Sequence, residues 1–288
     1  MLAATPYAFH LHPDVIALLG AIVGGYVVAV RVAGPRHAPD RAHPVTRLQG
    51  VMFATGVLTL TLALGWPIHD IAEEHLFAFH MVQHMLIMFI AAPLLLLGTP
   101  GWMLRWILGP GVALRAFRWL SRPPIAFAIS NVMTILLHVP PVIQLQVDNY
   151  AAHVGFHQAM LLSGVLMWMP VLSPMPEIRR IARPAQMLYL FLQSLLPTIP
   201  TSFLTFGEEP LYQHYVTTVR LWGISPVDDQ MIAGLLMKIA GGMLLWAAIA
   251  TIFFVWQADE ERGDKRQRQR AAEWDSLVRS FREEAAVR

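Results

Sequence analysis

Cysteine is absent from the 288 residues. That excludes disulfides, thiolate metal sites and thiol relays, so any metal must be held by histidine, methionine, carboxylate or backbone oxygen. The redox compartment therefore leaves no trace in the sequence. Charge is scarce too: 14% of residues are charged against 56% hydrophobic, about half the charged share of a soluble globular domain. Such a balance belongs to a polytopic membrane protein. The opening MLAATPYAFHLHP lacks a basic n-region, so it does not resemble a cleavable secretory signal and the N-terminus is expected to be retained. No carboxylate falls deep in an apolar stretch, which argues against a hard cation such as Mg²⁺ or Ca²⁺.

What remains is long apolar runs carrying histidine. Seven stretches approach the roughly 20 residues that a bilayer requires. They run from Asp14 to Val32, Leu48 to Trp66, His75 to Leu97, Pro123 to about His138, Ala151 to Leu172, Pro184 to Phe206 and Gln230 to Trp256. The expected fold is an all-α integral membrane protein, a bundle of seven transmembrane helices over residues 1–256 with a charged tail over 257–288. Residues 101–121, mixing Trp, Leu and Arg, read as interfacial helical turns rather than a span. The tail holds eight acidic and eight basic residues, which predicts a solvated helix and excludes a nucleic-acid arm.

Four, four, three and eight basic residues fall in alternate connections, 19 of the 21 in the chain. By the positive-inside rule those connections are cytoplasmic, with the N-terminus outside and the C-terminus inside. The remaining connections hold Asp70, Glu73, Glu74, Asp148, Glu208, Glu209, Asp228 and Asp229, an acidic outer face that attracts cations. Ten of the twelve histidines fall on that side, the exceptions being His37 and His43.

Two spans carry a histidine pair four residues apart, His80 with His84 and His153 with His157. Helical geometry puts each pair on one face, with Met88 and Met160 continuing the two stripes. A single membrane histidine is most economically a helix–helix hydrogen bond; two pairs at matching depth point to a site. His80, His84, His153 and His157 are the candidate ligands, with His138 and His75 next. His10, His12 and His69 read as solvated, and the methionines mainly as packing residues. Pro197 and Pro200 predict a break in span six, and Lys238, nine residues into span seven, is assigned a structural role.

Some of these residues resemble a known family. The segments His80-Met-Val-Gln-His84, Ala92-Pro93-Leu94 and Gly98-Thr-Pro100 recur in order. So do the His153-x-x-x-His157 span ending in Gly164-x-x-x-Trp168-x-Pro170, and Asp229-Gln230-x-x-Ala233-Gly234. Together they are similar to the polytopic CtaG family of bacterial cytochrome c oxidase assembly proteins, over about residues 45 to 256. Lys238 departs from the pattern, where an apolar or aromatic residue is expected. The resemblance implies a multi-pass protein of the bacterial plasma membrane that assists haem-copper oxidase maturation by handling copper ion on the outer side, with no catalytic residue of its own. The partners implied are the lipid bilayer and haem-copper oxidase subunits, and a homodimer is compatible with the same pattern. Imidazole and thioether donors suit copper. Three alternatives use the same residues: an intramembrane zinc hydrolase, for which only Gln83 and a peripheral Asp229 offer acid–base help, a b-type haem protein, and a structural scaffold whose histidines only pack.

Overall fold

The computed structural model describes residues 10–287, with side chains as far as residue 276. Residues 1–9, most of the opening stretch, lie outside the described residues. All described elements are helical. Six helices are long and apolar enough to cross a membrane: Pro13–His37, Arg47–Glu74, Phe77–Gly98, Tyr150–Leu172, Arg183–Phe206 and Pro226–Ser276. A seventh crossing is obtained if Val112–Leu120 and Pro123–Leu137, which meet at 77°, count as one broken span.

Local chemistry accounts for where these helices start and bend. The helix at Arg47 opens with a capping box: the Thr46 hydroxyl accepts from the Gln49 amide while Gln49 Oε1 accepts from the Thr46 amide, so two otherwise orphaned donors are satisfied. Its regular turns end at Leu64, and after Gly65, Trp66 and Pro67 the chain turns helical again over Ile68–Glu74. The sequence places the end of this span at Trp66; the structure instead continues it by a further short helix, and the residues on that helix prove decisive below. The break expected in span six is present between Leu195 and Thr198. There Pro200, which has no amide hydrogen, cannot donate to the Leu196 carbonyl, which accepts from the Ile199 amide instead, while the Pro197 carbonyl accepts from both the amide and the hydroxyl of Thr201. Lys238 extends its ammonium to within 3.3 Å of the Ser202 hydroxyl and over the Phe206 ring.

Spans two, three and five form the centre. Gly98 lets span three press against span two, for a Cβ there would strike the Phe53 backbone. Gly164 does the same for span five: a Cβ would sit 3.0 Å from Ala92 Cβ and 3.1 Å from Met88 Cα. Small residues permit such approach where no hydrophobic force drives helices together in lipid. Span three widens into a π-helical turn over Leu86–Ala91 directly after His84, a feature that recurs at functional sites. Within that turn the Met88 carbonyl accepts from the Trp168 indole at 3.0 Å. Met88 lines a small cavity together with His84. It packs in an apolar cluster with Leu60, Ala63, Leu137 and Met160.

Most arginines and most histidines occupy opposite ends, Arg220 lying with the histidines and His37 beside Arg105. Gly101–Leu108 and Val112–Leu120 lie at the arginine end, the latter burying none of its residues. Arg105 donates to Glu177 there and holds its carboxyl below the usual carboxylate range. Span seven runs without interruption from Pro226, through a π turn at Leu236–Gly241, to Val287. Its exposed residues 257–276 fit the solvated helix expected of the tail.

Candidate metal centre

The histidine end is organised around a residue the sequence reading set aside. Glu73 stands on the short helix Ile68–Glu74, and its carboxylate lies between the histidines of spans three and five. Oε1 is 3.3 Å from His80 Nδ1 and 3.7 Å from His157 Nε2, and Oε2 is 3.5 Å from His153 Nδ1. His69, one turn before Glu73, completes the group: one ligand atom each from His69, Glu73, His153 and His157 lie within 4.8 Å of one another. Two sequence readings are thereby corrected. His69 is not solvated but 4% exposed, covered by the rings of His12, His153 and His157. A carboxylate does lie among the membrane histidines, because the chain after Trp66 continues as a helix instead of a solvated connection.

A carboxylate at bilayer depth costs about 3 kcal/mol, and here it is offset by the imidazole of His80, which hydrogen-bonds it at 3.3 Å, and by that of His153 at 3.5 Å. An ionised carboxylate only accepts, so His80 Nδ1 carries the proton and its Nε2 is a lone pair. His84 Nε2, 3.0 Å away, donates to that lone pair. His157 differs. Its Nε2 is buried without a hydrogen-bond partner, an arrangement that costs about 1–3 kcal/mol unless something occupies the position. Three imidazole nitrogens and one carboxylate oxygen form a donor set that suits Cu²⁺ or Zn²⁺.

Surrounding groups fix these side chains. Gln83, fully buried, donates its amide to the Ala63 carbonyl and to His69 Nδ1, at 3.0 and 2.9 Å. His214 Nε2 donates to the Glu73 carbonyl and Tyr215 to that of Ala72, tying the short helix down from outside. Burial pushes the hydroxyls of Tyr212 and Tyr215 above the ordinary phenol value, keeping both protonated as donors. Asp229 receives the amides of Phe77 and Ala78 at the start of span three and pairs with Arg220. At 1% exposure it is an internal anchor, which corrects its reading as a peripheral residue.

The other candidates divide. His84 and His138 stand with ring centroids 5.3 Å apart, and His138 Nε2 lies 3.3 Å from Met81 Sδ. His75 turns away: its Nδ1 meets the Val219 carbonyl at 3.1 Å, and among the described residues no ring contact joins it to the other histidines. His10 and His12 both reach Asp70. A cavity of about 340 Å³ opens beside the group, with His12, His69, Asp70, Glu73, His153 and His214 on its wall. The Glu73 carboxylate fills the gap between His80 and His157, where a porphyrin bridging spans three and five would have to lie.

A signal for the missing residues was present in the sequence. His69-x-x-x-Glu73 has the same four-residue spacing as the two histidine pairs, and it would place both groups on one helical face. It passed unnoticed because Gly65, Trp66 and Pro67 suggested that the helix had ended. Among known proteins, the family described as cytochrome c oxidase caa3 assembly factor (Caa3_CtaG) matches residues 24–259. No curated protein and no solved structure matches.

Proposed function

The chain belongs to the family of cytochrome c oxidase caa3 assembly factors, and from that premise we propose that it takes up copper at the histidine end and makes it available to a maturing haem-copper oxidase subunit. One observation carries the proposal. Three histidines and a carboxylate from two different spans converge on one point beside an open cavity, with a buried imidazole nitrogen left unpartnered. Packing alone gives no reason for that vacancy in the hydrogen bonding, since buried polar groups are ordinarily paired.

In this reading copper is cargo. The acidic and imidazole groups around the cavity, Asp70 with His12 and then Glu73 with His69, His153 and His157, draw in a cation and desolvate it stepwise. Histidine and carboxylate hold it without the irreversible grip of a thiolate, which suits a protein that must give the ion up. The arginine bias supports a histidine end that faces outward from the bacterial plasma membrane, with the C-terminus in the cytoplasm.

The decisive experiment compares metal content and oxidase assembly in the wild type, Glu73→Gln and His157→Ala. Each substitution is expected to lower copper affinity at least tenfold and to reduce assembled oxidase in cells. His43→Ala, whose side chain is 81% exposed, is expected to change neither. Stoichiometric zinc without copper, combined with normal oxidase levels in the Glu73→Gln strain, would defeat the proposal and favour the hydrolase alternative, for which Glu73 supplies the acid–base group.

A further inference from the structure

A second constellation lies beyond the Glu73 group, on the far side of His84. His138, the residue closing the helix Pro123–Leu137, directs Nδ1 at the Thr134 carbonyl. A carbonyl only accepts, so Nδ1 carries the ring proton and Nε2 is a bare lone pair. The atom facing that lone pair is Met81 Sδ, 3.3 Å away. A thioether has no hydrogen to donate. Two electron-pair donors therefore confront one another inside the protein, His138 at 7% exposure and Met81 at none.

His84 is the third member. Its Nε2 is engaged with His80, while its Nδ1 has no hydrogen-bond partner among the described residues. Its ring stands beside that of His138, with centroids 5.3 Å apart. The donor set, two neutral imidazoles and a thioether with no carboxylate, differs in kind from the outer group. Soft, uncharged donors in an apolar setting favour a soft monovalent cation over a divalent one.

We propose that His84, His138 and Met81 form an inner site for cuprous ion, separate from the outer site of His69, Glu73, His153 and His157. His80 stands between the two, Nδ1 on Glu73 and Nε2 on His84. The protein thus offers a carboxylate-bearing site at the cavity and a thioether-bearing site deeper in the bundle. The inner site rests on the copper reading of the outer one, but the two can fail separately.

The absence of cysteine makes the test clean, because any copper–sulfur bond must come from methionine. Purified full-length protein is loaded anaerobically with Cu(I) through a chromophoric chelator of known affinity, and the copper is examined by X-ray absorption. Two ions per chain are expected in the wild type, with one sulfur scatterer at the more tightly held ion. Met81→Leu, which nearly conserves volume, should remove the sulfur scattering and weaken one of the two ions at least tenfold. Glu73→Gln should weaken the other ion and leave the sulfur signal in place. Copper bound by the wild type without sulfur scattering would overturn the inner site while leaving the proposed function standing, a result that needs no variant to fold. Persistence of the sulfur signal in Met81→Leu would overturn it equally. A wild type that binds no copper in either oxidation state would overturn both readings.

Discussion

Gln83 shows how much a single side chain contributes without touching a metal. Its amide hydrogens go to the Ala63 carbonyl and to His69 Nδ1, so it locks the ring of a ligand candidate and links spans two and three at the depth of the site. Groups that orient ligands typically matter by a factor of 10–100 in metal affinity. Gln83→Leu, which keeps the bulk and removes the hydrogen bonds, is therefore expected to lower copper affinity about tenfold or more in a chelator competition, with the protein still folded. Unchanged affinity would mean that the orientation of His69 is immaterial. At this scale the sequence was legible where residue type and spacing coincide in an apolar run, as in the two HxxxH pairs. It was opaque where the partner is apolar by type, as with Met81, or where the candidate ligand lies in a stretch that looks like a loop, as with His69 and Glu73. A methionine among 15 carries no mark that distinguishes a thioether facing a lone pair from one that packs.

The elements were legible in order, because a bilayer demands long apolar helices; seven were expected, and six are present, or seven if the bent pair Val112–Leu120 and Pro123–Leu137 is one span. Their interruptions were less so. Proline announced the break in span six, whereas no residue announced the π turns after His84 and around Lys238, which reflect how neighbouring spans pack. Nor did the sequence reveal how span three is anchored. Asp229, from the start of span seven, accepts the amides of Phe77 and Ala78 and pairs with Arg220, supplying a negative charge at a helix N-terminus where it is most favourable. Asp229→Asn keeps the shape and loses the charge. It is expected to lower unfolding stability by about 2–3 kcal/mol, the range of a hydrogen bond to a charged group, seen as a depressed thermal transition in detergent. Arg220→Gln, whose side chain is 19% exposed, should cost less, about 1 kcal/mol. Equal losses would show that the ion pair, rather than the helix cap, is what stabilises the start of span three.

For the molecule as a whole, the segregation of charge decides which compartment the metal site serves. The arginines of three connections and the long solvated helix of span seven gather at one end, while Glu73, Asp70, Asp229 and ten of the twelve histidines gather at the other. The cost of moving Lys and Arg across the membrane during insertion makes a cytoplasmic first end the expected arrangement. A phosphatase reporter, active only outside, should therefore be active when inserted near Asp148, on the connection between His138 and His153, and inactive when fused after Arg288. A green fluorescent reporter that folds only in the cytoplasm should give the reverse pattern. If both reporters showed the opposite arrangement, the cavity beside Glu73 would open to the cytoplasm and the ion would have to come from the cytosolic pool. The oxidase-assembly membership would survive that result, but the direction of copper supply would not. The outer acidic residues would then act on the wrong side to concentrate metal from the extracytoplasmic space. If the reporters agree with the charge pattern, chelating that space in intact cells with a membrane-impermeant agent should deplete the copper bound at the Glu73 group while leaving the chain inserted and folded.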